Sequence, residues 1–273
     1  MLAIDRQPLP PDWTPCLQSE LSSHVIADAM LDGGLDTAFV LAGTGSVARS
    51  LEDPEQDLTD NAAQLVHFLE SMRRRIPRVR LVYVSSAAVY GEAKELPITE
   101  SAPLQPISPY GVSKLAGESY ARVYHHLYGI QALVARPFSV YGPGARKQVV
   151  WDLLVKLHQD GEAVLGGTGQ ETRDYLFVDD LCQALIRIAV AGEAGQTFNV
   201  CSGRETPLAD LAARVCRLAG KPPVRFAGQA RPGDPLRWCG DPRRLVSIGW
   251  QPQVDLDDGL ARTLAWYLSL NGA

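Results

Sequence analysis

The feature of this sequence that most constrains its fold is the recurring order of short apolar runs and helical periodicity. Each run has the length of a β-strand, is rich in Val, Leu and aromatic residues, and ends at turn residues. The runs occupy residues 2–5, 37–42, 80–85 and 132–136. Helical patterns fill the intervals at residues 23–31, 55–75 and 110–128. This order is typical of a parallel sheet covered by helices, so we predict an α/β fold.

The pattern changes after Arg136, where shorter and more varied segments follow. Thr206 is a predicted N-cap for a helix at residues 207–219, with Pro207 at its first position. The other predicted elements are helices at 149–159 and 256–268, a helix that starts at Val178, and a strand at 198–200. These segments predict a smaller, mixed α/β lobe.

The composition excludes several classes of protein. A chain of 273 residues with 46% hydrophobic residues buries a sizeable core without disulfides or a metal. The formal net charge of -5 gives no basic face for nucleic acid. The five cysteines are an odd number without CxxC spacing, which argues against a disulfide framework or zinc site and favours a reducing, cytoplasmic setting.

Two further patterns limit where the chain acts and what it binds. The first residues are too soon interrupted by Asp5 and Arg6 to form a signal peptide, and no run approaches the length of a membrane span. We therefore expect a soluble protein. The adjacent His125 and His126 point about 100° apart on a helix and cannot form a zinc-binding pair, so we predict no metal.

The segment with the clearest chemical meaning is Tyr110-Gly-Val-Ser-Lys114. Side chains four residues apart project from one face of a helix and act on the same small volume. A tyrosine hydroxyl has a pKa of about 10, and a nearby ammonium favours its phenolate. Tyr110 is therefore a candidate to accept and return the proton of a substrate hydroxyl, with Lys114 as its electrostatic support.

The surrounding motifs make this pair specific. A strand at residues 81–84 runs into Ser85-Ser-Ala-Ala-Val-Tyr-Gly91, about twenty residues before Ser-Pro-Tyr110. Further motifs are Pro97-Ile-Thr-Glu100, Ala135-Arg-Pro-Phe-Ser-Val-Tyr-Gly-Pro143, Thr172-Arg-Asp-Tyr-Leu-Phe-Val-Asp-Asp180, Phe198-Asn-Val200 and Arg231-Pro-Gly-Asp234. In this order they closely resemble the extended short-chain dehydrogenase/reductase family of nucleotide-sugar epimerases, dehydratases and ketoreductases. The resemblance covers nearly the whole chain.

The resemblance implies a fold and a set of site residues. It implies a Rossmann-like, doubly wound NAD-binding domain over residues 1–145, also receiving segments near 175–200, and a mainly substrate-binding lobe over 146–273. The implied catalytic residues are Ser86, Tyr110 and Lys114. The implied cofactor contacts are Asp5, Glu20, Leu21, Ala42, Gly43, Tyr110, Lys114 and Pro137. The implied contacts to a nucleoside-diphosphate sugar are Ser86, Ser139, Arg173 and Arg231, of which the two arginines suit the diphosphate.

The cofactor expectation is NAD rather than NADP, because Asp5 resembles the acidic residue that binds the adenosine ribose hydroxyls. Arg6 beside it leaves some room for a 2′-phosphate. Asn61 resembles an asparagine that organises the active site in the family, although a solvent-facing helical Asn has the same sequence pattern. The helices at 110–128 and 55–75 correspond to those that pair between subunits in the family, which implies a homodimer.

The family's first strand and its Gly-x-x-Gly-x-x-Gly turn have no counterpart in this sequence. That turn lets the backbone approach the cofactor pyrophosphate. Gly43-Thr-Gly45 lacks the third glycine, and Gly166-Gly-Thr-Gly169 is interpreted as a simple turn. The missing strand is central, between the strands at 2–5 and 37–42, so we expect two unpaired edges and weakened cofactor binding. An upstream segment and a repurposed relative both remain open as explanations.

The sequence thus predicts an NAD-dependent nucleotide-sugar epimerase similar to UDP-glucose 4-epimerase, with a role in polysaccharide biosynthesis. A nucleotide-sugar 4-ketoreductase remains an alternative. A dehydratase is less favoured, because Ala87 and Ala88 stand where such enzymes carry an Asp-Glu pair. Two rivals remain: a non-catalytic remnant or binding protein on the same fold, and a dehydrogenase of a hydrophobic alcohol.

Overall fold

The computed structural model describes residues 2–5, 16–21, 23–159, 163–229 and 233–270. They fall into two compact units. The first unit comprises Met1–Gly91, Leu104–Arg136 and Ile188–Thr197, and the second comprises Glu92–Pro103, Pro137–Arg187 and Phe198–Ala273. The division into an NAD-binding domain and a substrate-binding lobe stays a prediction.

The first unit is built on a parallel sheet. Three neighbouring strands of this sheet are β3 (Thr37–Val40), β4 (Arg80–Val84) and β5 (Gln131–Pro137), with β4 between the other two. The register places Val82 beside Phe39 on one side and beside Leu133 on the other. The predicted strands are therefore confirmed to within two residues at either end, and the predicted α/β fold is confirmed.

A second, two-stranded parallel sheet in this unit is formed by β1 (Ala3–Asp5) and β2 (Cys16–Gln18). The sequence did not predict β2, because three residues are too few to show a period. In the described part of the chain, no strand lies between β1 and β3 in either sheet.

The helices of the first unit follow local capping signals. Ser23 caps the first helix by accepting from the Val25 amide, and Ser108 caps the fifth in the same way from Gly111. Gly129 ends that fifth helix in the left-handed conformation that glycine adopts without a steric penalty. The helices are α1 (His24–Asp32), α2 (Val47–Glu52), α3 (Pro54–Leu58), α4 (Gln64–Arg75) and α5 (Pro109–Tyr128).

The single helix predicted at residues 55–75 is interrupted. Thr59–Ala63 forms a π-helical turn between α3 and α4, and Thr59 donates its hydroxyl back to the Glu55 carbonyl at 3.1 Å. Such turns insert one extra residue and recur at functional sites. Here the turn buries Asp60 and Asn61 on the inner side of the helix.

The core of the first unit lies between the sheet and these helices. Leu69 and Met72 on α4, Leu81 on β4 and Ile130 before β5 are all fully buried in one cluster. Ile4 on β1 packs against the same cluster. Burying such side chains contributes roughly 1.5–3 kcal/mol each, so the sheet and α4 hold each other in place.

The second unit contains short paired strands and helices. The strands β6 (Ser139–Tyr141) and β9 (Tyr175–Phe177) pair in parallel, as do β7 (Val164–Leu165) and β12 (Arg225–Phe226), whereas β8 (Thr172–Arg173) and β11 (Thr206–Pro207) are antiparallel. The remaining elements are α6 (Gln148–Leu157), α7 (Val178–Ala191), β10 (Thr197–Val200), α8 (Leu208–Ala219), α9 (Arg243–Ser247) and α10 (Leu256–Leu270).

One capping prediction in this unit is wrong. Thr206 does not cap α8, because Thr206 and Pro207 are extended and pair with β8. Pro207 stands at the N-cap with ψ of 145°, and the helix starts one residue later at Leu208. Strand pairing therefore takes precedence over the local helix-start signal.

The glycine-rich segment at residues 166–169 is a turn closed by its own chain. The Glu171 carboxylate accepts the amides of Thr168 at 2.8 Å and Gly169 at 2.9 Å. Within the described residues, no helix is long and apolar enough to cross a membrane, and no group of three or more His, Cys, Asp or Glu could hold a metal ion.

Candidate active site

Ser86 lies on a tight turn at the end of β4. The strand stops at Val84, and Ala87–Tyr90 form one 3₁₀ turn that Ser86 caps by accepting the Ala88 amide at 3.1 Å. Ser86 itself is extended, with φ of -161°. The turn therefore places the Ser86 hydroxyl just beyond the carboxyl end of a central strand.

Tyr110 and Lys114 reach this turn from the first turns of α5. Ser86 lies close enough to Tyr110 to lower the pKa of the tyrosine. The Lys114 ammonium lies 6.0 Å from the centre of the Tyr110 ring and donates to the Val84 carbonyl at 3.1 Å. The structure thus brings together the three residues predicted to be catalytic, and Lys114 is 4% exposed.

The Tyr110 hydroxyl is held in its protonated form by its surroundings. Burial raises the pKa of Tyr110 above its ordinary value, the hydrogen bond with Ser86 lowers it, and the charge of Asp57 raises it again. The sequence-based expectation was that the nearby ammonium favours the phenolate. Burial raises the pKa because it penalises the charged phenolate. The help expected from the Lys114 ammonium and from a positively charged nicotinamide stays a prediction.

A polar cluster from the π-helical turn lies behind the site. The Asn61 amide donates to Asp57 at 2.9 Å and to Thr44 at 3.0 Å, and Thr44 donates to Asp57 at 3.0 Å. Asn61 is 1% exposed, so the alternative of a solvent-facing asparagine is wrong. The sequence did not predict that Asp57 belongs to this cluster, because a carboxylate on a short helix is expected at the surface.

A buried ion pair underlies the Ser86 turn. Glu118, on α5, and Arg136, on β5, are 0% and 2% exposed and meet at 2.6 Å. Ser85 donates to Glu118 at 2.6 Å, and Arg136 donates to the Tyr90 hydroxyl at 2.8 Å. Sequence reasoning missed this pair. The available signal was an arginine at the end of an otherwise apolar strand, because isolated charges are rarely buried unpaired.

The predicted cofactor residues of the first unit follow the ends of its strands. Asp5 ends β1 and is exposed, Glu20 and Leu21 follow β2, and Ala42 and Gly43 follow β3. Gly43 has φ of 123°, and a Cβ there would lie 2.3 Å from the Asn61 side-chain oxygen.

The remaining predicted contacts belong to the second unit. Pro137, which ends β5, is buried, and Ser139 donates its amide to the Asp174 carbonyl at 2.9 Å. Arg231 lies outside the described residues.

Arg173 is held rigidly in the second unit. Its guanidinium donates to the carbonyls of Thr172 and Pro235, both at 2.8 Å, and lies 3.8 Å from the Asp234 carboxylate. It also lies 5.5 Å from the centre of the Trp238 ring, within the range of a cation–π contact. Its side chain is 17% exposed, so it is partly accessible to solvent.

The sequence profile of the NAD dependent epimerase/dehydratase family matches residues 16–201. The chain belongs to this family. It is 36% identical over 253 residues to a UDP-glucose 4-epimerase of Mycolicibacterium smegmatis, which covers 89% of this chain and 80% of that protein. The family resemblance predicted from the motifs is therefore confirmed.

Two solved structures of the family are also similar to this chain. A double mutant of a dTDP-glucose 4,6-dehydratase from Streptomyces venezuelae, with NAD and DAU bound, superposes with a TM-score of 0.91 at 27% identity, covering 99% of this chain and 88% of that one. A UDP-glucose 4-epimerase from Thermotoga maritima with UDP-glucose gives a TM-score of 0.90 at 25% identity, covering 99% and 91%. The similarity extends over the Rossmann-like fold and supports the assignment of this chain to the nucleotide-sugar epimerases and dehydratases.

Proposed function

We propose that this chain is an NAD-dependent nucleotide-sugar epimerase of the UDP-glucose 4-epimerase kind. The observation that carries the proposal is that Ser86, Tyr110 and the buried ammonium of Lys114 lie together beyond the end of β4. A tyrosine, a hydroxyl that aligns it and a cation are the groups that a reversible oxidation of a sugar hydroxyl requires.

The proposed mechanism assigns one task to each residue. Tyr110 accepts the proton of the sugar hydroxyl as the carbon is oxidised, and returns it when the resulting ketone is reduced from the other face. Ser86 hydrogen-bonds the reacting oxygen and fixes its distance from Tyr110. Lys114 stabilises the phenolate that forms in the first half of the cycle. NAD, when bound, would supply the reversible hydride transfer at the sugar carbon.

The residues present fit the nicotinamide half of NAD. The bare backbone at Gly43, where a side chain would collide with Asn61, lets a ligand approach the loop after β3. Lys114 suits the ribose hydroxyls as a donor. In the described residues, no glycine turn of the family's kind offers amides to the pyrophosphate, so we expect NAD to bind more weakly than in family members that carry it.

The choice of epimerase over dehydratase depends on the two residues that follow Ser86. Ala87 and Ala88 are 0% and 6% exposed and form the interior of the 3₁₀ turn. Neither exchanges a proton, and a dehydratase needs an acid and a base to remove water from the neighbouring carbons. A nucleotide-sugar 4-ketoreductase uses the same three residues and remains the second candidate.

The substrate in this proposal is a nucleoside-diphosphate sugar. Arg173 has a guanidinium held by two backbone carbonyls and a partly exposed side chain, which suits a diphosphate oxygen. Arg231 is assigned the same role by family resemblance alone, as are the cofactor and substrate contacts of Pro137 and Ser139.

We also propose a homodimer through α5. Val112, Val123 and Leu127 on this helix are 51%, 47% and 62% exposed, which is a high exposure for large apolar side chains. Light scattering after size exclusion tests this proposal: Val123→Glu with Leu127→Glu should give a monomer. A wild-type chain that is monomeric at all concentrations would contradict it.

The experiment that tests the function combines binding and turnover. Calorimetric titration of the chain with NAD should show saturable binding. NMR of UDP-glucose mixed with the chain and NAD should show conversion to UDP-galactose. Tyr110→Phe should bind NAD but lose turnover by at least about a hundredfold. Binding without any turnover of UDP-, dTDP- or other nucleotide sugars would favour a binding protein, and absence of both in this chain and in one extended upstream would favour a remnant.

A further inference from the structure

We propose that the buried ion pair of Glu118 and Arg136 sets the position of the Ser86 hydroxyl relative to Tyr110, with Ser85 as the link. The inference rests on the proposed function, because the distance between these two hydroxyls matters for proton transfer. It adds Ser85, Glu118 and Arg136 as positioning residues, none of which touches the reacting atoms.

The ion pair is a rigid anchor. Arg136 donates from Nε to Glu118 Oε1 at 2.9 Å and from Nη2 to Oε2 at 2.6 Å, so the two groups meet along two parallel hydrogen bonds. A two-point contact of this kind fixes orientation as well as distance. Both side chains are fully buried, so water does not compete for either group.

The anchor holds both ends of the turn that carries Ser86. On the leading side, Ser85 donates its hydroxyl to Glu118 Oε1 at 2.6 Å. On the trailing side, Arg136 donates from Nη1 to the Tyr90 hydroxyl at 2.8 Å, and its guanidinium lies 4.9 Å from the centre of the Tyr90 ring. The turn between Ser85 and Tyr90 is therefore attached to one ion pair at two places.

The same ion pair belongs to the helix that carries the tyrosine. Glu118 follows Tyr110 by about two turns of α5, and a helix is rigid over that length. The turn and the helix also touch, because a Cβ on Gly111 would lie 2.6 Å from the Ala88 carbonyl oxygen. The position of Ser86 relative to Tyr110 thus follows from how Glu118 holds the turn.

The test is a double-mutant cycle on turnover. Ser85→Ala removes the link and leaves the ion pair in place, so we expect kcat to fall on the order of tenfold to a hundredfold while KM for the nucleotide sugar stays unchanged. If Ser85 acts through Ser86, Ser85→Ala should slow Ser86→Ala by no more than about twofold. Fully additive losses, or an unchanged kcat in Ser85→Ala, would overturn the proposal.

A second measurement does not need activity. The ¹³Cζ chemical shift of Tyr110 in selectively labelled protein reports the hydrogen bond to its hydroxyl. Ser85→Ala should move that shift in the same direction as Ser86→Ala, whereas the control Ser119→Ala, on the exposed face of the same helix, should leave it unchanged. An unmoved shift in Ser85→Ala would also overturn the proposal.

The turnover and chemical-shift measurements distinguish a failure of the proposed function from a failure of the positioning proposal. If the wild-type chain converts no nucleotide sugar, the proposed function fails, and the chemical shift alone decides the positioning role. If Ser85→Ala does not fold, Tyr90→Phe removes the other attachment and is compared in the same cycle. There, additive losses with Ser86→Ala or an unmoved Tyr110 shift would overturn the proposal.

Discussion

Replacing Glu118 by Gln tests how strongly the first unit depends on its buried ion pair. Burial lowers the pKa of Arg136, but the hydrogen bonds and charge of Glu118 raise it above its ordinary value, so the guanidinium is charged in the wild type. Arginine stays protonated in proteins, and Glu118→Gln therefore leaves a positive charge buried without its counter-charge. Breaking one partner of such a pair costs about 3–5 kcal/mol.

The structure argues for the upper part of that range. Glu118 accepts three hydrogen bonds, two from Arg136 and one from Ser85, and an amide in its place keeps only one oxygen acceptor. The double variant Glu118→Met with Arg136→Met removes both charges at similar volume, so we expect it to lie within about 2 kcal/mol of the wild type.

Urea unfolding followed by circular dichroism measures both values. Glu55→Gln is the matched control, because Glu55 is exposed on α3 and its loss should change the free energy of unfolding by no more than about 0.5 kcal/mol. A loss below about 1 kcal/mol for Glu118→Gln, or a double variant less stable than either single one, would refute the argument of an uncompensated buried charge.

Two further predictions concern stability. Gly91→Ala should lower the free energy of unfolding in urea by more than about 2 kcal/mol, because φ is +63° and a Cβ would lie 1.9 Å from a backbone carbonyl. Gly129→Ala, at φ of +70° in open space, should lower it by only about 1–2 kcal/mol. Equal losses in the two variants would contradict this reasoning. The hydrogen bonds from Arg73 and Tyr124 hold the pKa of Glu70 at about 2, so its stabilising contribution is complete above pH 4.5 and is lost as the pH falls towards 2. Tyr124→Phe should raise the midpoint of the Glu70 carboxyl titration, followed by NMR, and an unchanged midpoint would exclude that hydrogen bond.

The sequence predicted what depends on local signals. The strands β1, β3, β4 and β5 and the four-residue spacing of Tyr110 and Lys114 on α5 follow from periodicity and helix geometry. It did not predict partners that are distant in sequence. Glu118 and Arg136 meet only because α5 packs on the sheet next to β5, and no local pattern encodes that contact.

The Thr206 cap failed for a related reason. The residues obey the rule for a helix start, but pairing with β8 gives their backbone another partner. Asn61 is a second example of a residue whose environment local sequence patterns do not predict. Its burial depends on the π-helical turn, which shifts the inner face of the helix by one residue, and no sequence pattern indicated that turn.

The position of the candidate catalytic residues argues that weak cofactor binding and an intact site are compatible. Ser86, Tyr110 and Lys114 are held by β4, α5 and the ion pair to β5, which contact one another directly. We therefore expect the geometry of proton transfer to be intact even where NAD binds weakly. Saturating NAD should restore turnover, and activity that stays absent at saturation would show that the site itself is impaired.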